Sequence, residues 1–139
     1  MQVSEAMSTD IAAVDISQSL AHGAKHMLAE DVGSVIVIED GTPRGIVTES
    51  DVMTAALEAD EPISAIPIET AMTSPVKTIS PTENLMNAAR KMKTHEVKRF
   101  PVMDRIELVG IITFSDLIWN VSELVEEKDS EEEFFSEPV

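Results

Sequence analysis

Residues 45–51 read Gly-Ile-Val-Thr-Glu-Ser-Asp, and residues 110–116 read Gly-Ile-Ile-Thr-Phe-Ser-Asp. In both places a glycine and apolar residues lead to a threonine, and an aspartate follows three positions later. The pattern predicts a buried strand that ends at the threonine, where a helix begins with a Thr-x-x-Asp capping box. Capping alone explains one such box, but the same box at the same place in two copies favours a shared functional role as well.

The duplication extends well beyond this motif. A shift of 65 residues aligns Ala6–Val52 with Ala71–Leu117 without a gap, and 12 of the 47 aligned pairs are identical. We therefore predict two repeats. The first spans residues 1–60, an acidic linker spans 61–67, and the second repeat spans 68–126. Residues 127–139 form an acidic tail that we expect to be flexible.

Within each copy the apolar spacing predicts the order β-α-β-β-α. The predicted strands are Ile11–Ile16, Ser34–Ile38 and Gly45–Val47 in the first copy, and Val76–Ile79, Phe100–Met103 and Leu108–Ile112 in the second. Ser17 and Thr82 are the predicted N-caps of the first helices, and Asp40-Gly41 predicts a hairpin turn. Because one unit of about 50 residues buries little surface alone, we expect the copies to pack on each other. Trp119 and the apolar C-terminal helix are expected at this interface or at a subunit contact.

The composition excludes several classes of function. The chain has 139 residues, with 26 Asp and Glu against 10 Lys and Arg, a net charge of −16 and no Cys. Such a charge repels phosphate backbones, so we expect no nucleic-acid partner. Without Cys there is no disulfide, zinc–thiolate site or thiol nucleophile. The N-terminus lacks signal-peptide features, and no apolar run reaches about 18 residues. We expect a soluble, cytoplasmic protein without a membrane partner.

Positive charge is concentrated in the second copy. Residues 90–105 hold six Lys or Arg against two carboxylates, whereas the matching residues 25–40 hold one Lys against four. A phosphate-bearing ligand needs such a local reversal of sign in an anionic protein. Lys98 and Arg99 are the candidates for phosphate binding. Arg90, Lys91 and Lys93 fit a solvated helix face equally well.

The duplication, the β-α-β-β-α order and the Gly-Ile-Val-Thr-x-x-Asp motif together resemble the cystathionine-β-synthase-type (CBS) domain pair, or Bateman module. Residues 72–79 resemble the opening segment of that family, and residues 99–102 resemble its central strand. Residues 7–11 and 33–37 are the counterparts in the first copy. The resemblance implies an α/β fold, in which two β-α-β-β-α repeats pack sheet against sheet with pseudo-twofold symmetry. It also implies a homodimer.

The same resemblance implies a regulatory, non-enzymatic protein that binds AMP, ADP, ATP or S-adenosylmethionine in two clefts between the repeats. The site residues it implies are Thr48, Asp51, Thr113 and Asp116 for ribose, Ile11, Ala13, Val76 and Thr78 for adenine, and Lys98 and Arg99 for phosphate. The first copy has Gly33-Ser34 in place of Lys98-Arg99. We therefore predict one dominant phosphate-bearing ligand per chain, held by Thr113, Asp116 and Lys98 or Arg99. The sequence leaves open into which cleft these cations point.

Two alternatives remain: a ligand-free structural dimerisation module, and a small nucleotide-processing enzyme. The sequence has no Ser-His-Asp set, P-loop or His-Glu-x-x-His, so we predict no catalytic residue. His22, His26 and Glu30 share a helix face, but without a fourth ligand we interpret them as a solvated stripe and predict no metal. No cofactor is predicted besides the regulatory adenosine ligand. Phe134-Phe135 is a candidate contact for an unidentified protein target.

Overall fold

The protein contains a three-stranded and a two-stranded β-sheet. The structure is a computed structural model, and it describes residues 1–126. The helices are α1 (Val3–Ala6), α2 (Leu20–Glu30), α3 (Glu49–Ala59), α4 (Ile68–Ala71), α5 (Leu85–His95) and α6 (Phe114–Trp119), with a 3-10 helix at Ile63–Ala65 and helical backbone again at 121–126. The strands are β1 (Ala13–Asp15), β2 (Ser34–Glu39), β3 (Thr42–Thr48), β4 (Arg99–Asp104) and β5 (Glu107–Thr113). The acidic tail and Phe134-Phe135 lie outside the described residues.

The first sheet has the order β1-β2-β3, with β1 parallel to β2 and β2 antiparallel to β3. The predicted turn between β2 and β3 is confirmed. Asp40 (φ 51°) and Gly41 (φ 78°) both adopt left-handed backbone, as a two-residue hairpin loop of type I′ requires. Aspartate and glycine tolerate this conformation better than most residues do.

The second sheet pairs β4 with β5, and the predicted strand Val76–Ile79 is wrong in extent. A single bridge remains, in which Ile79 donates to Pro101 O at 3.0 Å and accepts from Met103 N at 2.9 Å. In the first repeat, the flanking bonds are donated by Ile16 N and Ile36 N. The equivalent positions in the second repeat are Pro81 and Pro101, which have no N–H to donate. The ladder therefore cannot extend on either side of Ile79.

The N-caps of α2 and α5 lie two residues later than predicted. Ser19 Oγ accepts a bond from His22 N at 3.2 Å, and Asn84 Oδ1 accepts one from Met86 N at 2.8 Å. The predicted N-cap Ser17 instead donates its hydroxyl to Asp15, and Thr82 lies 3.0 Å from the Ser80 hydroxyl. Side-chain hydrogen bonds within such local turns compete with capping of the helix.

The two hydrophobic cores do not follow the sequence repeat. Val3 of α1 is fully buried in the core of the second repeat, with Leu85 and Phe100. Ile68 of α4 is fully buried in the core of the first repeat, with Leu20. Each repeat thus packs its opening helix on the other repeat, which ties the two into one structure.

The sheet faces that point away from these cores pack on each other, as the predicted fold class requires. Ile36 pairs with Ile46 across β2 and β3, and Pro101 pairs with Ile111 across β4 and β5. Ile36 and Pro101 are fully buried, although neither belongs to the core of its own repeat. On these same faces Ser34 pairs with Thr48 and Arg99 with Thr113, at the ends where the motifs begin.

Candidate functional site

Both Thr-x-x-Asp motifs form the predicted capping box. Asp51 Oδ2 accepts from Thr48 N at 2.8 Å, and Thr48 Oγ1 accepts from Asp51 N at 3.2 Å. The corresponding distances in the second motif are 2.8 and 3.3 Å. Every hydrogen bond to the side chain of Asp51 or Asp116 uses Oδ2, so the Oδ1 oxygen of each carboxylate has no hydrogen-bond partner among residues 1–126.

The two motifs differ in one hydrogen bond. Thr113 Oγ1 also donates to Asp116 Oδ2, at 3.0 Å. Thr48 makes no such side-chain bond to Asp51 within the described part of the chain. The hydroxyl hydrogen of Thr48 is therefore available to an incoming ligand, whereas that of Thr113 is already donated to Asp116.

A first cleft of about 520 Å³ lies between the repeats. Ile46, Thr48, Ser50 and Asp51 line it from the first repeat, and Thr73, residues 75–77 and residues 96–99 line it from the second. The volume lies within the range of small-molecule sites. The ribose candidates of one repeat thus face the cations of the other.

A second cleft of about 330 Å³ has the mirrored construction. The second repeat contributes Arg99, Ile111, Thr113, Ser115 and Asp116, and the first contributes Ser8, Asp10, Ala12 and residues 32–34. Where the first cleft has Lys98 and Arg99 opposite its motif, the second has Gly33 and Ser34.

This arrangement corrects part of the predicted grouping. The prediction grouped Lys98 or Arg99 with Thr113 and Asp116. Arg99 does line the second cleft with these two residues, whereas Lys98 lies in the first cleft with Thr48 and Asp51. The reason is that the clefts form across the pseudo-twofold axis, which brings β4 of one repeat to the motif of the other.

Three of the four adenine candidates line neither cleft; Val76 does line the first. Ala13 pairs with Ile36 in the first sheet, and it is the preceding Ala12 that reaches the second cleft. Thr78 is exposed, next to the buried Ile79. Neighbouring residues in extended backbone point to opposite sides, so a prediction one residue off selects the wrong face. Ile11, at the other end of the same segment, also lies outside both clefts.

Asp10, Ser34, Thr73 and Lys77 also line the clefts, and the prediction from sequence missed them. The sequence did place these four residues in or beside the opening segments and the central strand, which the resemblance marks as parts of the ligand site. That signal was not sufficient, because it does not show which side chains cross to the other repeat.

Arg99 has the most unusual environment of the cleft residues. Its Nε and Nη1 atoms are buried and have no hydrogen-bond partner among the described residues. Burial lowers the pKa of Arg99, while the nearby carboxylates of Asp51 and Glu49 oppose that shift. Buried donors without partners are rare in proteins, because their desolvation is not compensated. An unpaired guanidinium that lines a cleft is well suited to bind a carboxylate or phosphate.

The cations on α5 lie outside both clefts. Arg90, Lys91 and Lys93 are exposed on α5 and line neither cleft. Arg90 donates to Asn87 at 3.1 Å, and Lys91 forms an ion pair with Glu83 at 3.5 Å. These contacts fit the interpretation of a solvated helix face.

Residues 1–126 contain neither a cluster of side chains that could hold a metal ion nor a helix that could span a membrane. The rings of His22 and His26 lie 4.9 Å apart, but no group of three or more His, Asp or Glu in these residues is arranged to hold a metal ion. Among the described helices, none has both the length and the apolar character needed to cross a membrane.

Comparison with known proteins agrees with this architecture. The sequence model of the CBS domain family matches this chain twice, at residues 3–58 and 63–123. The CBS domain-containing protein YhcV of Bacillus subtilis is 30% identical over 120 residues, covering 85% of this chain and 84% of YhcV. Some other curated relatives are longer, and the chain spans 32% and 64% of two of them.

Solved structures show the same fold. The hexameric CBS-CP12 protein from bloom-forming cyanobacteria matches with a TM-score of 0.80 and 26% identity, covering 91% of this chain and 73% of that one. The CBS domain pair of protein MJ0100, in complex with 5′-methylthioadenosine and S-adenosyl-L-methionine, matches with a TM-score of 0.75 and 25% identity, covering 92% and 98%. The chain described here thus belongs to the CBS domain family, and its two repeats are a CBS domain pair.

Proposed function

We propose that this CBS pair is a regulatory module that binds an adenosine nucleotide in its first cleft. The observation that carries the proposal is the half-buried guanidinium of Arg99, whose Nε and Nη1 atoms are buried without a partner among the described residues and which lines this cleft together with Lys98, Thr48 and Asp51. A bound phosphate would supply the hydrogen bonds that the guanidinium lacks within the described residues.

The remaining lining residues suit the other parts of such a ligand. The free Oδ1 of Asp51 can accept bonds from ribose hydroxyls, and the uncommitted hydroxyl of Thr48 can donate to a ligand oxygen. Ile46, Pro75 and Val76 offer apolar surface to a purine. The adenosyl ligands of the MJ0100 neighbour support adenosine as the nucleoside.

We propose binding rather than catalysis as the role of the cleft. Its hydroxyl groups belong to Thr48, Ser50 and Thr73, and no histidine lines it within the described residues. A hydroxyl nucleophile needs an adjacent base. Of the two carboxylates that line the cleft, Asp51 is held in its capping box, and Glu96 is exposed at the end of α5. Incubation with ATP that leaves the nucleotide intact would agree with this role, whereas protein-dependent hydrolysis would contradict it.

The module is also proposed to self-associate. Helices α3 and α6 expose large apolar side chains, among them Met53 and Leu57 on α3 and Ile118 and Trp119 on α6. Exposed apolar groups of this size are typical of protein–protein contacts, and the CBS-CP12 neighbour is hexameric. Nucleotide binding between the repeats would then alter how the copies, or a copy and a target protein, meet.

Isothermal titration calorimetry with AMP and adenosine tests the nucleotide proposal. Lys98→Ala should lower AMP affinity by about tenfold or more, because a charge-assisted hydrogen bond contributes roughly 1.5–3 kcal/mol, and it should spare adenosine. Lys93→Ala is the matched control, since it removes the same charge from a site outside both clefts. Absence of binding by any adenosine compound, or equal effects of the two substitutions, would overturn the proposal.

A further inference from the structure

Arg99 belongs to the lining of both clefts. Its backbone pairs with Thr113, the motif threonine of the second cleft. The carboxylates of Asp51 and Glu49, both from the first repeat, raise the pKa of Arg99 against the effect of its burial. The side chain therefore starts beside one motif and approaches the carboxylate of the other, with two of its nitrogen atoms unpaired within the described residues.

The clefts differ in how strongly each depends on this side chain. The first cleft has Lys77 and Lys98 as further cations, against Asp51 and Glu96. The second has Asp10 and Asp116 as carboxylates, and Arg99 is the one cation among the lining residues that the structure describes. Without Arg99, the lining of the second cleft would be anionic and would repel phosphate.

We infer that the two clefts share the single guanidinium of Arg99, so that an anionic ligand in the first cleft leaves the second selective for non-anionic adenosyl compounds. This inference rests on the proposed function and adds a ligand class for each cleft. A phosphate in the first cleft engages Arg99, and the second cleft then offers Asp10 and Asp116 without a counter-charge. Adenosine, or the cationic sulfonium of S-adenosylmethionine, is compatible with that environment, whereas a second AMP is not.

The pseudo-twofold symmetry provides a gain-of-function test. The counterpart of Arg99 is Ser34, which pairs with Thr48 and lines the second cleft. Ser34→Arg would give the second cleft a guanidinium of its own. Arg99→Ser would make the second repeat like the first at this position, where Ser34 pairs with Thr48 as Arg99 pairs with Thr113.

The experiment is calorimetric titration with AMP, followed by titration of the AMP-saturated protein with adenosine and, separately, with S-adenosylmethionine. For the wild type we expect one AMP per chain, a second AMP at least about tenfold weaker, and one further equivalent of a non-anionic compound. Ser34→Arg should bind two AMP per chain with affinities within a few fold of each other. Arg99→Ser should weaken AMP at least about tenfold and leave adenosine binding unchanged.

The possible failures are distinguishable. Two equal and independent AMP sites in the wild type would overturn the sharing of Arg99 and leave the proposed function intact. So would an AMP-saturated protein that binds neither adenosine nor S-adenosylmethionine. Failure of AMP and adenosine alike to bind the wild type would overturn the proposed function and the inference with it. Should Ser34→Arg not fold, the wild-type stoichiometry and Arg99→Ser decide the question.

Discussion

Gly110 of β5 lies so close to Met7 that a Cβ atom on the glycine would be 2.6 Å from the methionine Sδ. Gly45 of β3 has the same relationship to Met72, also at 2.6 Å. In each case the methionine belongs to the opening segment of the other repeat. The glycines that begin the two repeated motifs are thus the points where the opening segment of the other repeat packs against the strand.

Gly45→Ala and Gly110→Ala should each destabilise the fold by about 1–3 kcal/mol, as overpacking does in a dense interior. A flexible methionine can move, but Thr73 O and Ser8 O would also lie 2.9 and 2.8 Å from the added Cβ, and backbone cannot yield as easily. Urea unfolding measures the change. Gly33→Ala is the control, since its nearest contact would be at 3.9 Å. Equal midpoints for Gly110→Ala and Gly33→Ala would show that the packing is looser than described.

Ile68→Ala should destabilise the protein by about 2–5 kcal/mol, the usual cost of truncating a buried isoleucine to alanine. Ile68 belongs in sequence to the second repeat, yet it is fully buried in the core of the first. Thermal or urea unfolding is the measurement, and Ile106→Ala, at a side chain 92% exposed on the second hairpin, is the control. A near-neutral Ile68→Ala would argue against the exchange of opening helices.

Asp51→Asn should weaken AMP binding at least about tenfold, because it removes the carboxylate that would accept hydrogen bonds from the ribose hydroxyls. The cost in stability should stay below about 1 kcal/mol, because the side-chain oxygen of asparagine can still accept the bond from Thr48 N and the N-cap Thr48 is unchanged. Asp116→Asn makes the same change in the other motif and should affect AMP less. Calorimetry on the two variants compares the clefts directly, and a larger loss with Asp116→Asn would place the nucleotide in the second cleft.

Leu57→Asp combined with Trp119→Asp should shift the protein toward monomer. These side chains are 84% and 86% exposed, on α3 and α6 respectively, and a buried, unpaired carboxylate at an interface is strongly unfavourable. Light scattering coupled to gel filtration reports the mass. Ile106→Asp has a similar exposure but lies on the hairpin between β4 and β5, and it should leave the mass unchanged. A monomeric wild type would refute self-association.

Much of the local structure was predictable because its causes are local. Both capping boxes, the Asp40-Gly41 turn and the β-α-β-β-α order of the first repeat depend on residues within a few positions of each other. The two prolines that shorten the second sheet, Pro81 and Pro101, were also visible in the sequence. Their effect was missed because it requires knowing which N–H groups the ladder uses, and that follows only from the pairing of distant strands.

The sequence by itself determined the family, the duplication and the residues of each motif, since a repeat and its periodicity are properties of one chain read in order. Only the tertiary structure decided which motif faces which cations. Local sequence is compatible with Lys98 pointing into either cleft, and the choice follows from the packing of the two sheets face to face about the pseudo-twofold axis. That packing brings Lys98 to Thr48 and Asp51, some 50 residues earlier in the chain, and leaves Arg99 between the two clefts.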